Sequence, residues 1–129
     1  MKLIDVNGNV VSANVSASKF PMRNTSRSKI QNKVGKVLKD RFNLYIILEE
    51  WTIPSSRLSL DFFIPQRMIA IEVQGEQHKK FSKFFHSSRE AFMQQLNRDK
   101  TKVEWCEQND ILLISGYTIE DIEKEIQNA

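Results

Sequence analysis

The sequence predicts an α/β domain whose elements follow the order helix, three strands, helix, strand, helix. Two long runs with helical spacing each begin at a serine-led capping box, and short apolar runs rich in β-branched and aromatic residues lie between them. With 129 residues, the chain is long enough for one hydrophobic core but has no room for a second. We therefore expect a single domain at 26–129, preceded by an N-terminal hairpin and basic loop at 1–25.

Each element is justified by its local sequence. The hairpin turns at Asn7-Gly8-Asn9, because Asn and Gly tolerate the positive φ of a tight turn. The two long helices begin at the capping boxes Ser28-Lys-Ile-Gln31 and Ser87-Ser-Arg-Glu90. In chain order the predicted elements are a hairpin at 3–11, a helix from Ser28 to about Phe42, strands at 44–51, 58–64 and 69–74, a helix to about Gln108, a strand at 111–114 and a helix at 119–126.

Two neighbouring strands each carry one carboxylate within an apolar run. Alternation along the first of these strands assigns one face to its apolar residues, Leu58, Leu60, Phe62 and Ile64. A turn at 65–67 would then present Asp61 and Glu72 on a common polar face. Two carboxylates this close repel each other unless a cation or a proton lies between them, and their hard oxygen atoms favour Mg²⁺ or Mn²⁺. A hairpin with surface charges on a solvated face is the alternative.

The second long helix carries an acid where its apolar stripe should continue. The stripe is formed by Phe92, Leu96, Val103 and Cys106, and Asp99 interrupts it. An ionised Asp on a core-facing stripe costs on the order of several kcal/mol unless it meets a cation or hydrogen-bond donors. We expect that partner to be His78, Arg98 or Lys102. One interpretation is a structural salt bridge, and the other is an Asp that orients the imidazole of His78 for proton transfer.

Basic residues are concentrated in two segments. The chain has 19 Lys and Arg against 16 Asp and Glu, and the stretch from Lys19 to Lys39 contains no acid. The basic residues there are Lys19, Arg23, Arg27, Lys29, Lys33, Lys36 and Lys39. A second group alternates with phenylalanines after His78, in the order Lys79, Lys80, Phe81, Lys83, Phe84 and Phe85. Either segment could bind phosphates, and the alternatives are a solvated helix face and a cluster of core phenylalanines.

The cellular setting is indicated by features that the sequence lacks. A single cysteine, Cys106, excludes an intrachain disulfide and fits a reducing compartment. The first residues do not resemble a signal peptide, and no apolar run approaches the length of a membrane span. We expect a soluble cytoplasmic protein in which Cys106, Trp51 and Trp105 pack in the core.

Four motifs, taken in order, carry a family resemblance: Asp61-Phe-Phe-Ile-Pro65, Ile71-Glu-Val-Gln-Gly-Glu-Gln-His78, Arg98-Asp99 with Cys106, and Ile111-Leu-Leu-Ile114. Together they resemble the restriction-endonuclease-like superfamily, the PD-(D/E)xK fold. Within it they are most similar to the very-short-patch-repair-like nucleases, a branch that includes phage homing endonucleases. The resemblance covers about residues 28–115. It implies a restriction-endonuclease-like core of helix, three strands, helix and strand, in a bacterial or phage-infected host cell.

The resemblance also implies roles for particular residues. Asp61 and Glu72 would bind Mg²⁺, with Mn²⁺ as a substitute, and the reaction would be hydrolysis of a DNA phosphodiester. Gln74 stands where many relatives of the wider superfamily have a catalytic Lys, His78 would be the general base or acid, and Asp99 its acidic partner. The branch often has a Glu in the first helix, where this chain has Gln31. The residues expected to contact DNA are Arg27, Lys29, Lys33, Lys79, Lys80 and Lys83.

One site in one small chain predicts that a monomer nicks one strand, whereas a double-strand break would need a homodimer. A different function is a catalytically weak or inactive DNA-binding module of the same fold, which Gln31 in place of an acid favours. A nuclease for RNA or branched DNA would share the metal chemistry and differ only in the shape of its substrate.

Overall fold

Two β-sheets and three α-helices make up the residues that the computed structural model describes, 1–23, 28–74 and 88–129. The elements are β1 (Lys2–Ile4), β2 (Val10–Ser12), α1 (Lys29–Arg41), β3 (Leu48–Thr52), β4 (Ser59–Ile64), β5 (Ile69–Val73), α2 (Arg89–Gln108), β6 (Leu112–Gly116) and α3 (Ile119–Gln127). One turn of 3₁₀ helix, Pro65–Arg67, joins β4 to β5. The predicted α/β class and element order are confirmed.

The larger sheet has the strand order β3-β4-β5-β6. Its first three strands form an antiparallel meander, in which Phe62 of β4 lies opposite Ile71 of β5. The fourth strand runs parallel to β5 and pairs Ile114 with Ile71. Because parallel neighbours need a crossover, α2 occupies the connection between β5 and β6.

Helices cover both faces of this sheet. On one face, α1 and α3 pack on β4, β5 and β6, through Val34, Leu38, Phe62, Ile64, Ile69, Ile71, Ile114, Ile122 and Ile126. On the other face, α2 and the N-terminal hairpin pack on the strands, through Leu3, Leu48, Trp51, Leu60, Phe63, Ala70, Trp105 and Cys106. The alternative of a β4–β5 hairpin with a solvated face is therefore wrong.

The alternation predicted for β4 is also wrong at its centre. Leu60 packs on the α2 face together with Phe63, whereas Phe62 and Ile64 pack on the α1 face. The pairs on either side of Glu50 and Asp61 keep the same register, so these two residues lie opposite each other between β3 and β4. Glu50 has φ 50°, outside the extended region, so the regular alternation of faces breaks at this point.

Two predicted boundaries shift, and one of the shifts involves a distant residue. The first predicted strand begins at Leu48 and not at residue 44, and Leu44 is 87% exposed. The preceding loop is held to the β4–β5 turn, because the guanidinium of Arg67 lies 5.5 and 5.4 Å from the ring centroids of Phe42 and Tyr45. Helix α2 is capped by Ser88, one residue after the predicted Ser87.

Other predictions are confirmed. Ser28 caps α1, and its hydroxyl accepts a hydrogen bond from the amide of Gln31. Trp51, Trp105 and Cys106 are buried. Both indoles also anchor the N-terminal segment, since Trp105 donates to the carbonyl of Ile4 at 2.7 Å and Trp51 to that of Asn14 at 2.7 Å. Among the described residues, no helix combines the length and apolar character needed to span a membrane.

Candidate active site

The carboxyl groups of Asp61 and Glu72 meet where the backbone ladder between β4 and β5 ends. The last paired residues are Phe62 and Ile71. Beyond them, the amide of Asp61 donates to Glu72 Oε2 at 3.1 Å, and the amide of Val73 donates to Asp61 Oδ2 at 2.7 Å. The side-chain oxygens thus take the place of the carbonyls that would continue the ladder, which fixes both carboxyl groups relative to the sheet.

This pair is held in an environment that opposes double ionisation. Glu72 is 6% exposed, and Asp61 is half-buried. Burial, followed by the negative charge of Glu72 and a hydrogen bond to its carboxyl group, raises the pKa of Asp61 from its usual 3.8 to about 8. The structure therefore brings together the two acids that the sequence pairs, and it places them beneath α2 rather than on an open polar face.

Lys102 of α2 is a third charged group at this position. Its Nζ donates to Glu72 Oε1 at 2.5 Å, and its side chain is 18% exposed. The ammonium also lowers the pKa of Asp61, although by less than burial and Glu72 raise it. The sequence analysis considered Lys102 only as a partner for Asp99, so its contact with Glu72 was missed.

The inward face of α2 differs from the predicted apolar stripe. Leu96 and Val103 are 37% and 44% exposed, so the stripe that included them is wrong. The side chains turned toward the sheet recur at spacings of three and four and are mostly polar: Gln95, Asp99, Lys102 and Cys106. Asp99 is half-buried on this face. A helix whose inward face is polar over two turns indicates that this part of α2 lines a site.

Cys106 lies at the apolar end of the same helix face. Burial, and then the charge of Glu72, raises the pKa of its thiol to about 12. A thiol with so high a pKa is a poor nucleophile at neutral pH. The prediction that Cys106 is a core residue is confirmed, since its side chain is 1% exposed.

A cleft of about 490 Å³ lies at the carboxyl ends of β5 and β6, and Ser115 in its lining is the strand partner of Glu72. Its lining is Gln74, Asp99, Ser115, Gly116, Tyr117, Asp121, Lys124 and Glu125. Gly116 allows the first turn of α3 to approach, because a Cβ there would lie 2.8 Å from Asp121 Cβ. Of the site residues predicted from the sequence, Gln74 and Asp99 therefore share this cleft, and Asp61 and Glu72 contact each other.

Gln31 belongs to a different cluster. Its side-chain amide donates to Glu49 Oε2 at 2.8 Å, and the backbone amide of Arg23 donates to Glu49 Oε1 at 2.8 Å. The guanidinium of Arg23 forms an ion pair with Glu50. Gln31 is thus more than a capping-box residue, since its side chain reaches β3. The burial of Glu49, 3% exposed, was also missed by sequence reasoning.

The candidate DNA-binding residues are only partly within the described structure. Lys29 and Lys33 are exposed on α1, which covers the face of the sheet opposite α2. Arg27 and His78 lie outside the described residues. The other basic residues predicted to contact DNA, Lys79, Lys80 and Lys83, also lie outside the described residues.

The described residues contain no cluster of three or more His, Cys, Asp or Glu side chains placed to hold a metal ion. The carboxylate pair offers two such side chains, with the amide oxygen of Gln74 two residues beyond Glu72 along the chain. Mg²⁺ is commonly bound through one or two carboxylates, with water and substrate phosphate completing its octahedron. The two adjacent carboxyl groups, with the pKa of Asp61 raised by burial and by the charge of Glu72, therefore fit this cation.

Comparisons with known proteins find relatives in viruses of invertebrates. No protein-family model and no solved structure matches the chain. The chain is 38% identical over 72 residues to Uncharacterized protein 307L of Invertebrate iridescent virus 6, covering 55% of this chain and 36% of that protein. It is 40% identical over 68 residues to Uncharacterized protein 033L of Invertebrate iridescent virus 3, covering 52% and 35%. The matched part is thus about a third of each viral protein.

Proposed function

We propose that this chain is a divalent-metal-dependent endodeoxyribonuclease that hydrolyses a phosphodiester in one strand of duplex DNA. The observation that carries the proposal is the contact between the carboxyl groups of Asp61 and Glu72 at the end of the β4–β5 ladder. Two acids forced together under a helix are short of positive charge, and Lys102 supplies one unit. A divalent cation would supply the rest.

The architecture supports the restriction-endonuclease-like part of the proposal. The helix, the antiparallel meander β3-β4-β5, the crossover helix α2 and the parallel strand β6 follow the order that the resemblance implies. The two acids also lie on adjacent strands of that meander. We therefore propose a PD-(D/E)xK core, with Asp61 and Glu72 as its acidic residues.

In the proposed reaction, Asp61 and Glu72 hold the cation. Bound Mg²⁺, or Mn²⁺ in its place, supplies a Lewis acid for the scissile phosphate and lowers the pKa of an attacking water molecule. As the resemblance implies, His78 would take or return a proton, with Asp99 as its acidic partner. Gln74 lies in the adjoining cleft, where its amide can donate to or accept from the substrate.

DNA is proposed as the substrate from the resemblance and from the basic residues of the chain, of which Lys29 and Lys33 lie on α1, across the sheet from α2. Lys29 and Lys33 are exposed, and we propose that they bind backbone phosphates together with Arg27, Lys79, Lys80 and Lys83. With one pair of acids per chain, a monomer nicks one strand. A homodimer would cut both strands.

The test is the conversion of supercoiled plasmid by the purified chain in Mg²⁺, in Mn²⁺ and in EDTA. We expect open circles with either metal, no conversion in EDTA, and none with Asp61→Ala under any condition. Linear product at early times would indicate a dimer. Lys100→Ala is the matched control, because Lys100 is 76% exposed on α2 and pairs only loosely with Glu104, at 3.9 Å. Metal-dependent cleavage that survives Asp61→Ala would show that the assignment of the metal site is wrong.

A DNA-binding module of the same fold without cleavage is the second candidate. Two observations favour it: Lys102 already neutralises Glu72, and Gln31 offers an amide bound to Glu49 where relatives often have an acid. In that case no plasmid would be cut, and the chain would shift DNA in a gel with a strong dependence on salt concentration.

A further inference from the structure

Lys102 is a buried cation in a site that is proposed to bind a different cation. Its side chain is 18% exposed, and its Nζ lies 2.5 Å from Glu72 Oε1. A lysine loses hydration when it is buried, so this position is maintained only while a partner offsets that loss. Glu72 is that partner, because it also lies beneath α2 and is 6% exposed.

The neighbouring Lys100 shows what an ordinary lysine does on the same helix. Lys100 is 76% exposed, and its Nζ lies 3.9 Å from Glu104, a residue that is 60% exposed. Such a pair contributes little to stability. Lys102, two residues further on, turns inward on the same face as Asp99 and Cys106. Because both residues are lysines on the same helix, the difference in their exposure comes from the position that each one occupies on that helix.

Lys102 and a divalent cation would compete for the same carboxyl group, that of Glu72. Glu72 Oε1 accepts a hydrogen bond from the ammonium of Lys102. Glu72 Oε2 and Asp61 Oδ2 accept hydrogen bonds from the backbone amides of Asp61 and Val73. A cation that binds both carboxyl groups must share Glu72 with Lys102, and two positive groups a few ångströms apart repel each other. The four-carbon stem of a lysine allows its ammonium to shift while the helix stays in place.

We propose that Lys102 is the resident counter-ion of the Asp61–Glu72 pair, that a divalent cation displaces its ammonium from Glu72, and that the released ammonium binds an oxygen of the scissile phosphate. Without metal, the ammonium of Lys102 neutralises the carboxylate of Glu72 beneath α2. With metal and DNA, the same ammonium becomes the group of α2 that contacts the substrate. This inference rests on the proposed nuclease function for its second step, and on the geometry of Lys102 for its first.

The proposal makes two opposite predictions for one substitution. Lys102→Met keeps the length of the side chain and removes its charge, so the competition for Glu72 is lost. Isothermal titration of the purified chain with Mn²⁺, without DNA, should show binding tighter by about tenfold, the effect of removing a unit charge close to a cation in a partly solvated site. Single-turnover nicking at saturating Mn²⁺ should fall by about tenfold or more, because a phosphate contact is lost.

Lys100→Met is the control, and it should change neither the affinity for Mn²⁺ nor the nicking rate. Lys102→Gln is the second variant, because its amide can still donate to Glu72 and maintain the fold if the Met variant unfolds. It should also bind Mn²⁺ more tightly. Equal or weaker Mn²⁺ binding by a folded Lys102 variant would overturn the counter-ion role and leave a structural ion pair.

The measurements of Mn²⁺ binding and of nicking also distinguish this proposal from the nuclease function. Tighter Mn²⁺ binding without cleavage by the unmodified chain would support the displacement of Lys102 and contradict the nuclease. Tighter Mn²⁺ binding with an unchanged nicking rate would support displacement and contradict the phosphate contact. Failure of the unmodified chain to bind Mn²⁺ at all would contradict both the metal site and the displacement.

Discussion

Two buried glutamates lie on the same sheet, and their surroundings differ in kind. Among its contacts in the described part of the chain, Glu49 of β3 accepts hydrogen bonds from the Gln31 side-chain amide and from the backbone amide of Arg23. Glu72 of β5 meets the carboxyl group of Asp61 and the ammonium of Lys102. Both glutamates are less than a tenth exposed, 3% and 6%. Burial of an acid by itself therefore does not distinguish a structural position from a candidate site.

What distinguishes them is whether the neighbours favour or oppose the charge. At Glu49, the N–H groups of Gln31 and Arg23 hold the first turn of α1 and the segment before it against β3. At Glu72, one neighbour is another acid, whose pKa is raised to about 8. Repulsion that a fold retains in this way is characteristic of positions that bind a cation or exchange protons. The comparison identifies the Asp61–Glu72 pair as the functional candidate and the Glu49 cluster as part of the scaffold.

The same isosteric change at both glutamates tests this difference most directly. Glu72→Gln should reduce metal-dependent nicking by about a thousandfold or more, because it removes a carboxylate that is proposed to hold the cation. Glu49→Gln should leave the nicking rate within about fivefold of the unmodified chain, since Glu49 contacts Gln31 and Arg23 and is not one of the proposed cation ligands. Single-turnover assays of both purified variants measure the contrast. Equal losses at the two positions would show that both glutamates belong to one site.

The second prediction concerns stability. Glu49→Ala should lower the free energy of unfolding by about 2–4 kcal/mol, because it leaves the buried donors of Gln31 and Arg23 without their acceptor. Urea denaturation followed by circular dichroism measures the change. Glu104→Ala, which removes an exposed partner of Lys100, is the control and should cost less than about 0.5 kcal/mol. A loss at Glu49 as small as the control would mean that the cluster does not hold the segment before α1.

The third and smallest effect has the opposite sign. Because the pKa of Asp61 is about 8 in the folded chain and near 3.8 when unfolded, its contribution to stability is present below pH 4 and is lost as pH rises through 8. Asp61→Asn removes this loss. In EDTA, the variant should be more stable than the unmodified chain by about 1–3 kcal/mol at pH 8.5, and by less at pH 5.

Thermal unfolding across that pH range measures the difference between the two proteins. The expected increase in stability would distinguish Asp61 from the Glu49 cluster, since a substitution that removes the proposed activity would then stabilise the fold. A difference that does not vary between pH 5 and pH 8.5 would show that burial and the charge of Glu72 do not raise the pKa of Asp61 in the folded chain.

Much of the fold could be predicted because its signals are local. The turn at Asn7-Gly8, the cap at Ser28 and the apolar runs of β4 and β5 each depend on residues close in sequence. The pairing of Asp61 with Glu72 could also be predicted, because a short turn joins their strands. Hairpin geometry alone brings the two acids to neighbouring positions.

The errors arose where distant residues decide the structure. Lys102 is 30 positions from Glu72, and Gln31 is 18 positions from Glu49, so neither contact leaves a local pattern. The first residues of the predicted strand before Leu48 form a loop because Arg67 packs on Phe42 and Tyr45. The apolar stripe of α2 was wrong because the helix turns polar residues toward the sheet. Periodicity finds the apolar face of a helix, and it fails where the inward face lines a site.

Because carboxylate oxygens take the place of ladder carbonyls, the amides of Asp61 and Val73 report on whether the two carboxyl groups bind a ligand. The amides of Asp61 and Val73 donate to Glu72 and Asp61, and a bound cation would draw electron density from those same oxygens. Their ¹⁵N–¹H chemical shifts and their rates of exchange with solvent deuterium should therefore change when the carboxyl groups gain a ligand, while an amide such as that of Phe63, in the intact ladder, stays constant. The occupancy of the site can thus be followed from two backbone signals, without a substrate and without a chemical label.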